Sequence, residues 1–142
     1  MKLHLAILAT VLLFTACTQN ISDTDVDNAA LTLSQLRKVT AADTKGTTLL
    51  IDARTPGEYS AGHIPGAANL SVAQVSGVEG ATDPRLLRYK TLIVYGNDPA
   101  SITAKSLGKR LIATGYKDVR FFPEGFAGWQ SAGLPIEKPP AR

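Results

Sequence analysis

The chain has 142 residues, 44% hydrophobic and 19% charged, a composition that suits one domain with a real core and excludes wholesale disorder. Its formal charge is +3 at pH 7, but the bases are dispersed and not interleaved with aromatic residues, so they read as a solvated surface and no nucleic-acid partner is expected. The lone cysteine, Cys17, excludes an internal disulfide or a thiolate metal site, and no metal or cofactor is expected.

In chain order, Lys2 gives a positive start and Leu3 to Phe14 is almost wholly apolar. That run is too short to span a bilayer comfortably, and the small residues Thr15 and Ala16 follow it, so 1–16 reads as a secretory signal. Residues 17–30 carry Asp23, Asp25 and Asp27 with no base and no periodicity, which predicts a flexible tether. The folded domain is then expected over 31–142. Its charge is more basic, with 14 Lys and Arg against 9 Asp and Glu.

Thr32 with Gln35 three residues on marks a helix start, and Leu33, Leu36 and Val39 give that helix an apolar face. Thr47 to Ile51 is a short β-branched and apolar run, predicted as a buried strand. Thr55-Pro56-Gly57-Glu58 starts a second helix with a capping box and Pro at the first position. Gly62 and Pro65 end it, Ile64-Pro65-Gly66 turns, and Ala67 to Leu70 suits a short strand. Short helices are expected near Val72–Val75 and Pro84–Leu87.

Thr91 to Tyr95 is the next strand, followed by a helix that buries Leu107 and Leu111 and stops at Gly115. Val119 to Phe122 is another strand. Phe126 to Ala132 makes the last helix, with Trp129 in the core. Strands alternating with helices at this spacing predict an α/β domain whose parallel sheet is covered on both faces.

The loop Gly96-Asn97-Asp98-Pro99-Ala100-Ser101-Ile102-Thr103 joins a buried strand to a helix start. That is where open α/β sheets place their sites, and backbone N–H groups with a helix dipole there can cradle a small anion. Its nucleophiles are only hydroxyls, Ser101 and Thr103. Ser101 is also readable as an N-cap, and Asp98-Pro99 as an N-cap and first helical residue. Asp98 would put a negative charge at the rim of any anion site.

Two resemblances add to this. The quartet Phe14-Thr15-Ala16-Cys17 resembles the lipobox of bacterial lipoproteins, which implies a lipid on Cys17 and anchoring in the cell envelope. Thr18 after it resembles the pattern sent to the periplasmic face of the outer membrane in diderm bacteria. The other reading is an ordinary signal peptide with Cys17 incidental.

The run Asp52-Ala53-Arg54 through Glu58-Tyr59 to Gly62-His63-Ile64-Pro65-Gly66-Ala67-Ala68-Asn69, with the later Gly125-Phe126-Ala127-Gly128-Trp129 to Gly133-Leu134-Pro135, resembles the rhodanese-like family. The resemblance covers Leu31 to Ile136. It implies a three-layer fold with a central parallel sheet of about five strands and helices on both faces.

In active members of that family a loop cysteine takes up sulfane sulfur. Here Gly96 stands at the position of the shorter loop register and Ser101 at that of the longer one. A Ser hydroxyl is not appreciably ionised at neutral pH and forms no persulfide, and its activation needs an adjacent base. The leading expectation is therefore a lipoprotein without sulfurtransferase activity that binds or scaffolds an envelope protein. The others are a binder of a small oxyanion or sulfur species at 96–104, and a weak Ser101-dependent hydrolase.

Asp52 and Arg54 are expected to hydrogen-bond neighbouring loops. Glu58 is expected to cap its helix and pair with Arg54. His63 has the chemistry of a base, yet beside Ile64-Pro65-Gly66 an imidazole that bonds the backbone is the expectation.

Overall fold

The structure is a computed structural model that describes residues 21–78 and 80–139. The expected signal segment 1–16, Cys17 and the start of the tether lie outside the described residues. The elements run α1 (Asp23–Asn28), α2 (Leu33–Ala42), β1 (Thr48–Asp52), α3 (Pro56–Ala61), β2 (Ala68–Asn69), a 3-10 turn (Val72–Gln74), β3 (Thr91–Tyr95), α4 (Ile102–Ala113), β4 (Val119–Phe122) and α5 (Gly125–Ser131).

All described strand pairs are parallel, in the order β2-β1-β3-β4. The sheet thus has four described strands where about five were expected. What extends it beyond β4 is a single parallel bridge between Ala30 and Phe121.

Alternation along each strand sorts the core into two layers. Leu49, Ile51, Leu92, Val94, Val119 and Phe121 face Leu107 and Leu111 of α4. Leu50, Ile93, Tyr95 and Phe122 face the other way, toward Leu36 of α2, with Phe126 and Trp129 of α5 packed at its edge. Local chemistry supports the helix starts. Thr32 with Gln35 and Thr55 with Glu58 both form complete capping boxes, and Pro56 opens α3. The expected helix near Pro84–Leu87 is instead a chain of turns, with Leu86 N–H donating to Asp83 O and Tyr89 N–H to Leu86 O.

The larger correction concerns the tether. Residues 23–28 are helical, and Val26 is buried at 3% exposure against the layer that holds α4. Ser22 and Asp25 form a capping box at its start. Beyond the helix, Phe121 N–H donates to Ala29 O and Leu31 N–H to Phe121 O. Val26, with Ala29 packed against the same layer, and one bridge hold the segment down, too little to leave a periodic signal in the sequence.

Among the described residues, no helix is long and apolar enough to cross a membrane. Val26→Ala is expected to lower stability by about 1.5–2.5 kcal/mol through two lost methyl groups and the space they leave. Urea unfolding checks it, and an unchanged midpoint would mean that α1 contributes nothing to the folded domain.

Candidate functional site

β1 feeds α3 and β2 on one side, while β3 feeds α4 and β4 on the other. The crevice at such a reversal of strand order, outside the C-terminal ends of the strands, is where this architecture holds ligands. Here it is an open depression of about 570 Å³, lined by Arg54, Thr55, Pro56 and Glu58 after β1 and by Asn97, Asp98, Ser101, Ile102 and Thr103 after β3.

Beneath it lies a buried polar cluster. Asp52 is fully buried and Arg54 nearly so. Their side chains pair at 2.6 Å, and Asp52 also accepts from the Arg54 backbone N–H at 2.9 Å. Arg54 Nη2 reaches on to Gly62 O at 2.8 Å, and its guanidinium lies 4.0 Å from the centre of the Phe126 ring. The Tyr95 hydroxyl donates to Asp52 Oδ2 at 2.8 Å and accepts from Ile64 N–H at 3.2 Å. Asn69 Nδ2 ties the backbone together by donating to Asp52 O and Arg54 O.

Burial works against the Arg54 charge, and the hydrogen bond and charge of Asp52 outweigh it, leaving the guanidinium pKa raised. The ion pair expected between Arg54 and Glu58 is replaced by this one. Glu58 Oε2 instead accepts from Thr55 N–H and Oγ1–H, and those bonds lower its pKa.

His63 is 2% exposed, stacks on Tyr59 with ring centres 3.8 Å apart, and has Nδ1 3.0 Å from Tyr59 O. It is held at the turn, while Gly66 N–H donates to Glu137. Trp129 is half-buried against the core and donates from Nε1 to Pro135 O at 2.7 Å. These are positions that hold the loops together.

The loop itself is braced from both ends. Gly125 has φ +62°, and a Cβ there would come within 2.6 Å of Gly96 O. Only glycine allows the start of α5 so close, and there Phe126 N–H donates to Gly96 O and Ala127 N–H to Asn97 O. A Cβ on Gly96 would collide with the Ser101 side chain, at 1.9 Å from its Oγ. Ser101 thus fills the space that Gly96 leaves.

Helix α4 begins after Ser101 rather than at Asp98-Pro99, and Ser101 caps by position without a side-chain hydrogen bond. Ser101 Oγ lies 3.0 Å from the Thr103 hydroxyl, which is no base. Asp98 accepts from Ala100 N–H at 2.9 Å with its carboxylate, and from Ser101 N–H at 3.0 Å with its backbone oxygen. Two donors that an anion would need are already taken, one of them by a fixed negative charge. Neither Ser101 activation nor oxyanion capture draws support from this geometry.

The residues that reasoning from sequence missed are Tyr95 and Glu137. Tyr95 reads as one more apolar strand residue, and its hydroxyl contacts depend on Asp52, 43 positions away.

Burial first, and the Asp52 charge second, push the Tyr95 phenol far above its ordinary value of 10.0. A group whose pKa rises on folding contributes stability that is complete below its unfolded value and lost as pH climbs above it. Stability should therefore fall above pH 10 more steeply in the native chain than in Tyr95→Phe. The variant should start about 1–3 kcal/mol lower, because Asp52 and Ile64 N–H lose a partner. Urea midpoints across that range check it, and equal alkaline slopes would overturn it.

A family model described as the rhodanese-like domain matches residues 35–132. The HTH-type transcriptional regulator Rv0324 of Mycobacterium tuberculosis is 28% identical over 93 residues, which are 66% of this chain and 39% of that protein. The chain thus spans well under half the length of that relative. Among solved structures, the human single-domain sulfurtransferase TSTD1 superposes with a TM-score of 0.57 at 21% identity, covering 72% of this chain and 96% of that one. SseA of Escherichia coli, a structure reported for 3-mercaptopyruvate sulfotransferases, gives 0.59 at 22% identity, over 80% and 52%. These structural likenesses share the α/β fold with its parallel central sheet, and with the family match over most of the described domain the chain belongs to the rhodanese-like domain family.

Proposed function

We propose that this rhodanese-fold chain is an envelope-exported lipoprotein that has no sulfurtransferase activity and acts as a binding or scaffolding module for an envelope protein. The observation that carries the reading is Ser101, seated against Gly96 at the base of the crevice loop, in a chain whose one cysteine is Cys17. Sulfur carriage needs a thiolate that attacks a sulfane donor and holds the sulfur as a persulfide. A hydroxyl beside another hydroxyl cannot do so, while the frame around it, from Asp52 to Trp129, is kept.

Transfer of sulfur from thiosulfate to cyanide by the full chain is expected to stay at the level of a heat-killed sample, and turnover above that level would end the reading. Ser101→Cys places a thiol at the loop base, beside the α4 start. With the Ala100 and Ser101 N–H groups taken and the Asp98 carboxylate close by, the thiol is expected to alkylate at pH 7 within about threefold of free cysteine. A thiol that alkylates at least about tenfold faster would mean that the loop still has the form of a sulfur site.

The anchoring part of the proposal rests on the segment from Lys2 to Cys17. Mass spectrometry of the membrane fraction should find a diacylglyceryl group on Cys17. An unmodified N-terminus elsewhere would remove the anchor, leaving the crevice argument untouched.

A further inference from the structure

Asp98 and Ser101 line a second hollow as well as the crevice. It measures about 170 Å³ and lies between α1 and the C-terminal ends of β3 and β4. Its walls are Val26 from α1, Val94 from β3, Ala104 from α4, and Phe121 and Phe122 from β4, all buried. A cavity of about 150 Å³ with walls of this kind is enough to take up a benzene ring. The hollow owes one wall to the docking of α1, the segment that its sequence presents as a tether.

The rim differs in chemistry from the walls. Asp27 of α1 and Asp98 and Ser101 of the loop meet there with Lys105 of α4. Asp98 is held in place by Ala100 N–H and Asn97 Nδ2. At neutral pH the two carboxylates only accept hydrogen bonds, and each oxygen has more than one acceptor site. Carboxylates outnumber ammonium groups two to one, so a donor head is matched there and an anionic head meets like charge. Apolar walls with a few convergent polar groups are the usual make-up of a small-molecule site.

We propose that this hollow binds a molecule of about one aromatic ring's size bearing a hydrogen-bond donor, an ammonium or a hydroxyl group, at the Asp27–Asp98 rim. The ring lies between Val26 and Phe121, and the head reaches the carboxylates. The site is independent of whether the crevice loop retains any sulfur chemistry.

Titrating the full chain with benzylamine, benzyl alcohol and benzoate, while following backbone amide resonances, tests it. Benzylamine and benzyl alcohol should give saturating shifts at Val94, Ala104 and Phe121, with benzoate at least about tenfold weaker through like-charge repulsion. Asp27 is exposed, so Asp27→Asn keeps the fold. It should weaken benzylamine by about threefold, the scale of one exposed charge interaction, and leave benzyl alcohol nearly unchanged. Ala104→Leu should fill the hollow and abolish binding of both. Shifts that do not saturate with any probe at millimolar concentration would overturn the proposal. So would benzoate binding as tightly as benzylamine, or an Asp27→Asn protein that binds benzylamine as the native chain does.

Discussion

The buried pairing of Asp52 with Arg54 organises this domain. Two opposite charges two residues apart sit at the end of β1, almost wholly removed from water. Either one alone would carry a desolvation cost of several kcal/mol, about 3–5 when one partner of such a pair is removed. Together they satisfy each other and then recruit neighbours. Tyr95 brings in β3, Asn69 brings in β2, Gly62 O brings in the end of α3, and the Phe126 ring brings in α5. Four segments distant in sequence are thus registered at the C-terminal edge of the sheet, the edge from which the crevice loop departs.

With that edge set, the loop has little freedom. The start of α5 donates to the carbonyls of Gly96 and Asn97 at a distance that glycine at 125 makes possible. Ser101 lies over Gly96, and Asp98 turns its own carboxylate onto the Ala100 N–H. A loop that could cradle an anion is instead satisfied from within, so the same scaffold that positions a sulfur-carrying thiol elsewhere in its family here carries hydroxyls and an acidic rim. Fold and chemistry come apart at a handful of residues, because the contacts that tie the strand ends together run through Asp52, Arg54 and Tyr95.

Much of the fold was legible because its signals are local. Thr32 with Gln35, and Thr55-Pro56 with Glu58, announce helix starts through bonds closed within three residues, and the β-branched and apolar runs at 47–51, 91–95 and 119–122 announce strands. The site was legible in part. Asp52, Arg54, Glu58 and His63 could be singled out, with the cap of Glu58 and a backbone partner for His63, but the pairing of Asp52 with Arg54 could not. Arg54 turns to Asp52 and leaves Glu58 to its cap, a choice that depends on burial at the strand end. The start of α4 lies at Ser101 and not at Asp98 because residues 98–101 close a separate turn and Ser101 then takes an extended conformation, φ −65° and ψ 100°. Helix α1 was hidden because its docking rests on Val26 and a bridge to Phe121, 91 residues from Ala30.

By itself the sequence determined the order of the strands and of helices α2 to α5, the absence of any cysteine other than Cys17, and hence the lack of a thiol in the loop. Those are matters of composition and of contacts within a few residues. Tertiary structure alone decided which charges pair, that the acidic segment before Ala30 joins the domain, and that a hollow opens beneath it between β3, β4 and α4. The reason is that burial and like distances between remote groups arise only when the sheet brings its strand ends together, and no short-range pattern encodes them.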